Sequence, residues 1–298
     1  MQMNKITNPV FDDLKKVGLI KNHDLMIIQK SLRNGRSSVL LDSKNKFIFL
    51  EKYLVNDSFY KKVFDVKTPN QTSKLFKNKT NILNDYSRYF NLFKKFIKNK
   101  NILDYGCGYG QFLFLCSKIT KKLSGVELSK VSIKFIKKKN PKINIESKIN
   151  KFQNKFDIIT LFHTLHYLPN QIETLIELKK KLTKKGKIII EVPCANDALI
   201  SKYNLKHFKQ FTFCRESLIW HTAKSLTLFL RKAQFKNIKI IKVQRHNLNN
   251  HLGWILKDKP GGHDFFKDLV SSKKNLSTYN SYLIKNNLND TLIAIANK

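Results

Sequence analysis

Three of the ten glycines fall within five residues: Gly106, Gly108 and Gly110, in LDYGCGYGQF. They follow a strand-like run and open a helix-like one. Glycine at such a junction permits a tight turn and a close approach of backbone to ligand, with the amides of the helix start aimed at it. The dinucleotide fingerprint G-x-G-x-x-G would put its third glycine at Gln111, whereas this chain reads G-x-G-x-G. Asp104 stands just before the first glycine. A carboxylate there disfavours a pyrophosphate and favours an ammonium group. Glu127 ends the next strand-like run and can accept both hydroxyls of a ribose. The implied ligand has a ribose and a cationic amino end but no diphosphate. S-adenosyl-L-methionine fits that description better than NAD.

These residues need a sheet to hold them. NILDYG, KLSGVEL, INIES, FDIITLF and KIIIEVP read as strands, and QFLFLCSKI, KVSIKFIKKK and QIETLIELKKKL as helices, the last stopped at Gly186. This alternation predicts a parallel sheet with helices on both faces. His163 follows FDIITLF at the carboxyl edge of that sheet, where ligands of open α/β folds bind. An imidazole there suits a general base near neutral pH. Upstream, SVLLD and FIFLE read as a hairpin turning at Ser43–Lys46, residues 67–80 as a polar loop, and Tyr86, Tyr89, Phe90, Phe93 and Phe96 as one helix face. Downstream come the helix SLTLFLRKAQF and the strands NIKIIKVQ and TLIAIA, which suit antiparallel pairing across a long insert.

In order and spacing, ILDYGCGYGQF, GVELS, FDIITLFHTLHYL and LTKKGKIIIEVP resemble the successive motifs of class I S-adenosylmethionine-dependent methyltransferases. The resemblance covers about residues 100 to 193. It implies an α/β, Rossmann-like seven-stranded sheet with six parallel strands and one antiparallel. An N-terminal α+β extension (1–95) precedes a methyltransferase domain (96–298), with substrate-side insertions at about 194–222 and 246–290. By the resemblance, Asp104, Gly106, Gly108 and Gly110 hold the methionine part of the cofactor and Glu127 the ribose, with Cys107 also in the cofactor site. Leu128 lies beside the adenine, and Ser147 and Phe162 complete the set. Members often read H-x-L-E-H after the fourth strand. This chain has His163-Thr164-Leu165-His166-Tyr167, which names His163 and His166 as catalytic candidates. The stretch from EVP through HFKQFTF, QRH, NHLGW and KPGGH resembles a subgroup met in bacterial surface-polysaccharide and small-molecule pathways. Arg88, Asn196, Tyr203, His207, Arg245, His251 and His263 are then the substrate candidates, with Arg245 and the glycine turn suited to an anionic group.

The chain has 298 residues, 57 Lys+Arg, 21 Asp+Glu and a net charge of +36. Such a field attracts polyanions, and an RNA acceptor is the runner-up reading. Only six of the basic residues are Arg, and six Ala stand against 22 Phe. That skew reads as compositional bias towards Lys, Asn, Ile and Phe on solvated faces. LFHTL is not the N/D-P-P-Y/F grip of enzymes that methylate base amines, and EVPCAND lacks the T-C-S signature of cytosine-5 enzymes. The favoured acceptor is a small molecule in glycan biosynthesis, anionic or nucleotide-linked. A non-catalytic partner subunit is a third reading. The four cysteines show no zinc spacing, so no metal is expected. No apolar run is long enough to span a membrane and the N-terminus has no signal-peptide pattern, so the expectation is a cytoplasmic protein.

Overall fold

The computed structural model describes residues 6–20, 25–55, 58–59, 80–266 and 272–298. In chain order these form α1 (Val10–Lys16), β1 (Leu25–Gln29), β2 (Val39–Asp42), β3 (Ile48–Leu50), α2 (Thr80–Ile97), β4 (Asn101–Tyr105), α3 (Gln111–Cys116) and β5 (Lys122–Val126). There follow α4 (Lys130–Lys139), β6 (Asn144–Glu146), β7 (Phe156–Phe162), α5 (Gln171–Lys180) and β8 (Leu182–Pro193). The last third holds α6 (Ala198–Ser201), α7 (Lys206–Thr212), β9 (Ile219–Trp220), α8 (Ala223–Lys232), β10 (Lys236–Val243), α9 (Leu248–Lys257), α10 (Gly262–Phe265), α11 (Lys273–Lys285) and β11 (Thr291–Asn297). The loop expected over 67–80 lies, up to residue 79, outside the described residues.

The larger sheet has seven strands in the order β10-β11-β8-β7-β4-β5-β6. Neighbours from β8 to β6 pair in parallel, and β11 runs antiparallel between β8 and β10. The expected six-plus-one sheet is therefore present. Its strands are continuous apolar runs because both faces are covered: Ile188, Ile189 and Ile190 are fully buried. On one face lie Tyr89, Phe93 and Ile97 of α2, Phe112 and Leu113 of α3, and Ile136 of α4. On the other lie Leu14 of α1, Leu175 and Leu178 of α5, and Leu226 and Phe229 of α8.

One boundary differs from the sequence reading. The helix expected to run to Gly186 ends at Lys180, and β8 starts at Leu182. Leu182 is fully buried and pairs with Phe156, while Ile158 pairs with Lys187. Burying that leucine outweighs continuing a Lys-rich helix, and residues 183–186 bulge out of the ladder.

The expected hairpin forms as β2 and β3, with β1 added on one side. On the other side β3 pairs with β9, a two-residue strand that carries no sequence signal of its own. Phe47 and Phe49 share one apolar cluster with Ile159 and Ile190 of the large sheet. Asn8 donates to the carbonyls of Leu50 and Leu218 (2.8 and 2.9 Å). The small sheet is therefore built onto the large one. At the other end of the chain, Asp290 accepts hydrogen bonds from the amides of Arg245 and His246 and from Gln244 Nε2. That carboxylate ties together the two ends of the 246–290 insertion.

Because the sheets share a core, Phe49→Ala is expected to destabilise the whole chain by about 3–5 kcal/mol. Urea denaturation followed by circular dichroism should show one shifted transition. Two separate transitions would mean that the small sheet unfolds by itself.

Candidate functional site

The glycine loop joins β4 to α3. Gly106, Gly108 and Gly110 all have left-handed backbones, at φ of 76°, 55° and 77°. Two of them are also sterically closed. A Cβ on Gly106 would lie 2.5 Å from Thr164, and one on Gly110 2.9 Å from Ile136. At Gly108 a Cβ would meet nothing within 4 Å, so this is where the loop opens towards a ligand. The amides of Gly106 and Cys107 both reach the carbonyl of Val126, at 2.8 and 3.1 Å. Glu127 accepts from Gly108 N at 2.8 Å and from Ser129 N at 2.9 Å. The loop is thus pinned to the carboxyl end of β5. Leu128 follows directly and is half-buried. Ser147 lies in the bend after β6, one residue beyond Glu146, whose carbonyl takes the Glu127 amide. Cys107 is buried beneath the loop.

Asp104 is buried at the end of β4 and accepts a 2.7 Å hydrogen bond from Thr160. Burial pushes its carboxyl up to about 7, the Thr160 bond opposes this, and the Glu127 charge adds to it. Tyr86 on α2 lies near the same group. Burial and then the charge of Asp104 push its phenol up. An acidic pocket with an open glycine fits a ligand that brings an ammonium and a ribose.

Beside this pocket a second group converges on Glu191, near the carboxyl end of β8. Its carboxylate is fully buried. Arg88 grips both oxygens, NH1 to Oε2 at 2.8 Å and NH2 to Oε1 at 2.7 Å. Tyr89 donates to Oε1 at 2.8 Å. His163 Nε2 lies 3.0 Å from the same oxygen, close enough for an ion pair but not aligned as a hydrogen bond. Burial alone would push the Glu191 carboxyl up, but the His163 and Arg88 contacts overcome it and hold it well below the usual range. Arg245 binds Asp85 through both Nε and NH2, and Asp85 in turn touches Arg88 at 3.3 Å. His163 sits at φ 50°, a left-handed backbone that costs a non-glycine residue about 1–3 kcal/mol.

The structure therefore brings Arg88, Arg245 and His163 together, and it corrects some expectations. Arg245 is not free to hold an anion, because Asp85 already occupies its guanidinium. His166 is buried edge-on to His163 at 5.8 Å between ring centroids. Burial first, then the His163 charge, hold it towards the neutral form, and at 2% exposure it has no open face. Phe162 is engaged in a face-to-face stack with Tyr89 at 4.0 Å. His251 is buried against Tyr279 (2.8 Å), and burial pushes it down to about 4, so it is an internal strut of the insertion. His207 pairs with Asp258 at 2.9 Å on the exposed surface. Asn196 turns its backbone onto Cys194 and Ser201, Tyr203 is 39% exposed, and the His263 side chain lies outside the described ones. Cys194 is buried, and burial pushes its thiol up to about 12, which removes it as a nucleophile.

The sequence reading missed Asp85, Tyr86, Tyr89 and Glu191. The signal for Glu191 was a lone carboxylate inside the apolar run KIIIEVP. Asp85, Arg88 and Tyr89 share one helical face at i, i+3 and i+4.

Asp104 gives a test of the pocket. Only its ionised form attracts an ammonium, and a free α-amino group stays protonated up to about 7.7–8.0. Calorimetric affinity for S-adenosylmethionine is expected to rise about tenfold from pH 6 to 7.5. In Asp104→Asn it should be weaker and flat over that range.

Residues 80–240 match a family model described as a methyltransferase domain. Among solved structures, the chain is similar to a SAM dependent methyltransferase from Archaeoglobus fulgidus, with 20% identity and a TM-score of 0.51 over 76% of this chain and 99% of that one. It also resembles magnesium protoporphyrin IX methyltransferase from Synechocystis PCC 6803 with bound SAH, with 9% identity and a TM-score of 0.52 over 82% and 100%. Among curated proteins, a tRNA U34 carboxymethyltransferase from Nautilia profundicola is 28% identical over 156 residues, 49% of this chain and 50% of that one. One from Aliarcobacter butzleri is 24% identical over 51% of each. The chain thus spans about half the length of the curated relatives it matches. No helix among the described residues is long and apolar enough to cross a membrane. With the family model matched over more than half the chain and the sheet order described above, this chain belongs to the class I S-adenosylmethionine-dependent methyltransferases, and S-adenosylmethionine is its cofactor.

Proposed function

We propose that the chain methylates a hydroxyl of a small polar acceptor, a sugar either free or nucleotide-linked, with His163 as general base. The observation that carries this reading is the contact between the buried Glu191 and His163, which follows β7, the strand next to the one that carries the glycine loop. S-adenosylmethionine, once bound, supplies an electrophilic methyl on a sulfonium. The protein's share is then to hold the acceptor in line and to take its proton. His163 is 25% exposed and so can meet an acceptor. Glu191 is held ionised, so it stays a carboxylate and stabilises the imidazolium that forms. Asp104, Gly106, Gly108, Gly110 and Glu127 would bind the cofactor, with Tyr86 nearby.

Arg88 and Arg245 are both matched by carboxylates, which favours an uncharged reacting end on the acceptor. An anionic group at that end would have to displace Asp85 or Glu191. A second reading, an RNA acceptor, draws on the +36 charge and on the tRNA-modifying relatives. Those relatives are carboxymethyltransferases, and a carboxylate on the transferred carbon calls for an unpaired cation.

Incubation with methyl-labelled S-adenosylmethionine separates the two. Label is expected in a sugar or nucleotide-sugar fraction. Label in bulk tRNA would overturn the small-acceptor reading. His163→Ala should lower kcat by about 10²–10⁴ and abolish the acid limb of the pH–rate profile. If the activity and profile of that variant match those of the parent, His163 is not the base.

A further inference from the structure

We propose that Arg88 is a positioning residue, acting through Glu191 to set the direction and the protonation range of His163. This rests on the reading of His163 as the base. The geometry is specific. One guanidinium spans both oxygens of Glu191, at 2.8 and 2.7 Å, and so fixes the plane of the carboxylate. Tyr89, the next residue of α2, donates to Oε1 at 2.8 Å, and His163 Nε2 lies 3.0 Å from that oxygen. The fork holds both oxygens in place, and its positive charge offsets that of the carboxylate beside the imidazole.

The charges that face His163 come from every element around it. β8 brings Glu191, and α2 brings Asp85 and Arg88. The segment after β10 brings Arg245 and His246, and the turn after β7 brings His166. Burial and their neighbours hold His166 and His246 towards the neutral form. Arg88 and Arg245 balance Asp85 and Glu191, so the cluster is neutral when His163 is neutral. Removing Arg88 leaves one uncompensated negative charge beside the imidazole. That favours imidazolium, and the free base then appears only at higher pH. Removing the charge of Glu191 leaves an excess positive charge and moves the same titration to lower pH.

NMR titration of the histidine ring resonances tests this without an acceptor. It uses the full chain saturated with S-adenosylhomocysteine, and His163 is identified by the signal lost in His163→Ala. In Arg88→Met the His163 midpoint should rise by about one pH unit, and in Glu191→Gln it should fall by about as much. Arg88→Lys keeps the charge and should restore a midpoint near the parent value. Retained calorimetric affinity for S-adenosylhomocysteine shows that each variant is folded. If Arg88→Met does not fold, the Glu191→Gln and Arg88→Lys arms still decide. Midpoints unchanged in Glu191→Gln, or displaced the same way in both charge-removing variants, would overturn the proposal. Failure of the base reading looks different: the midpoints move as expected while His163→Ala remains active.

Discussion

A carboxylate buried in the middle of an apolar sheet imposes the main constraint on this molecule. Glu191 follows Ile188, Ile189 and Ile190 and has no solvent-exposed side-chain surface. An isolated charge there would cost several kcal/mol, so its oxygens must be met by donors or the fold must yield. The donors come from separate places: Arg88 and Tyr89 from α2, and His163 from the end of β7. Arg245 approaches Oε1 to 4.0 Å from beyond β10. Losing one partner of such a pair costs about 3–5 kcal/mol, mostly because the other charge stays buried. That penalty fixes how α2 lies on the sheet. It also explains why helix, strand end and insertion meet at the same point.

The cofactor side follows a different physics, that of excluded side chains. Gly106 and Gly110 face Thr164 and Ile136 at distances that no Cβ could occupy. These two glycines let the loop fold down against the turn after β7 and against α4. Gly108 faces open space, and its amide is held by Glu127. One motif therefore divides its labour: two glycines close the loop and one leaves room. Thr164 packs on Gly106 directly after His163 in sequence, so the glycine loop and His163 are positioned by the same contact.

What could be read from the sequence was what is local. Apolar strand runs, glycine punctuation and the spacing of Asp104, the loop and Glu127 are features of neighbouring residues, and the sheet formed as expected. The partners of Glu191 were not legible, because Arg88 lies 103 residues away and no local pattern marks the pairing. Arg245 looked free for the same reason, since Asp85 is 160 residues away. The early end of α5 and the strand β9 are likewise tertiary outcomes. Buried Leu182 stops one, and pairing with β3 creates the other. His166 stands where the family pattern has a glutamate, and it is burial, which no motif records, that decides its charge state.

The charge of +36 and the neutrality of the cluster around Glu191 belong together. Two of the six arginines stand in that cluster, each with a carboxylate. The lysines of the α4 end, Lys137, Lys138 and Lys139, and those before Gly186, Lys184 and Lys185, are exposed. At physiological salt, exposed charges act over only about 8 Å, so these lysines colour the approach to the protein more than the chemistry inside it. A polyanion drawn to that surface would still meet, around Glu191, two guanidiniums already engaged. A site balanced in this way responds to the loss of any one charge by shifting the proton on its histidine.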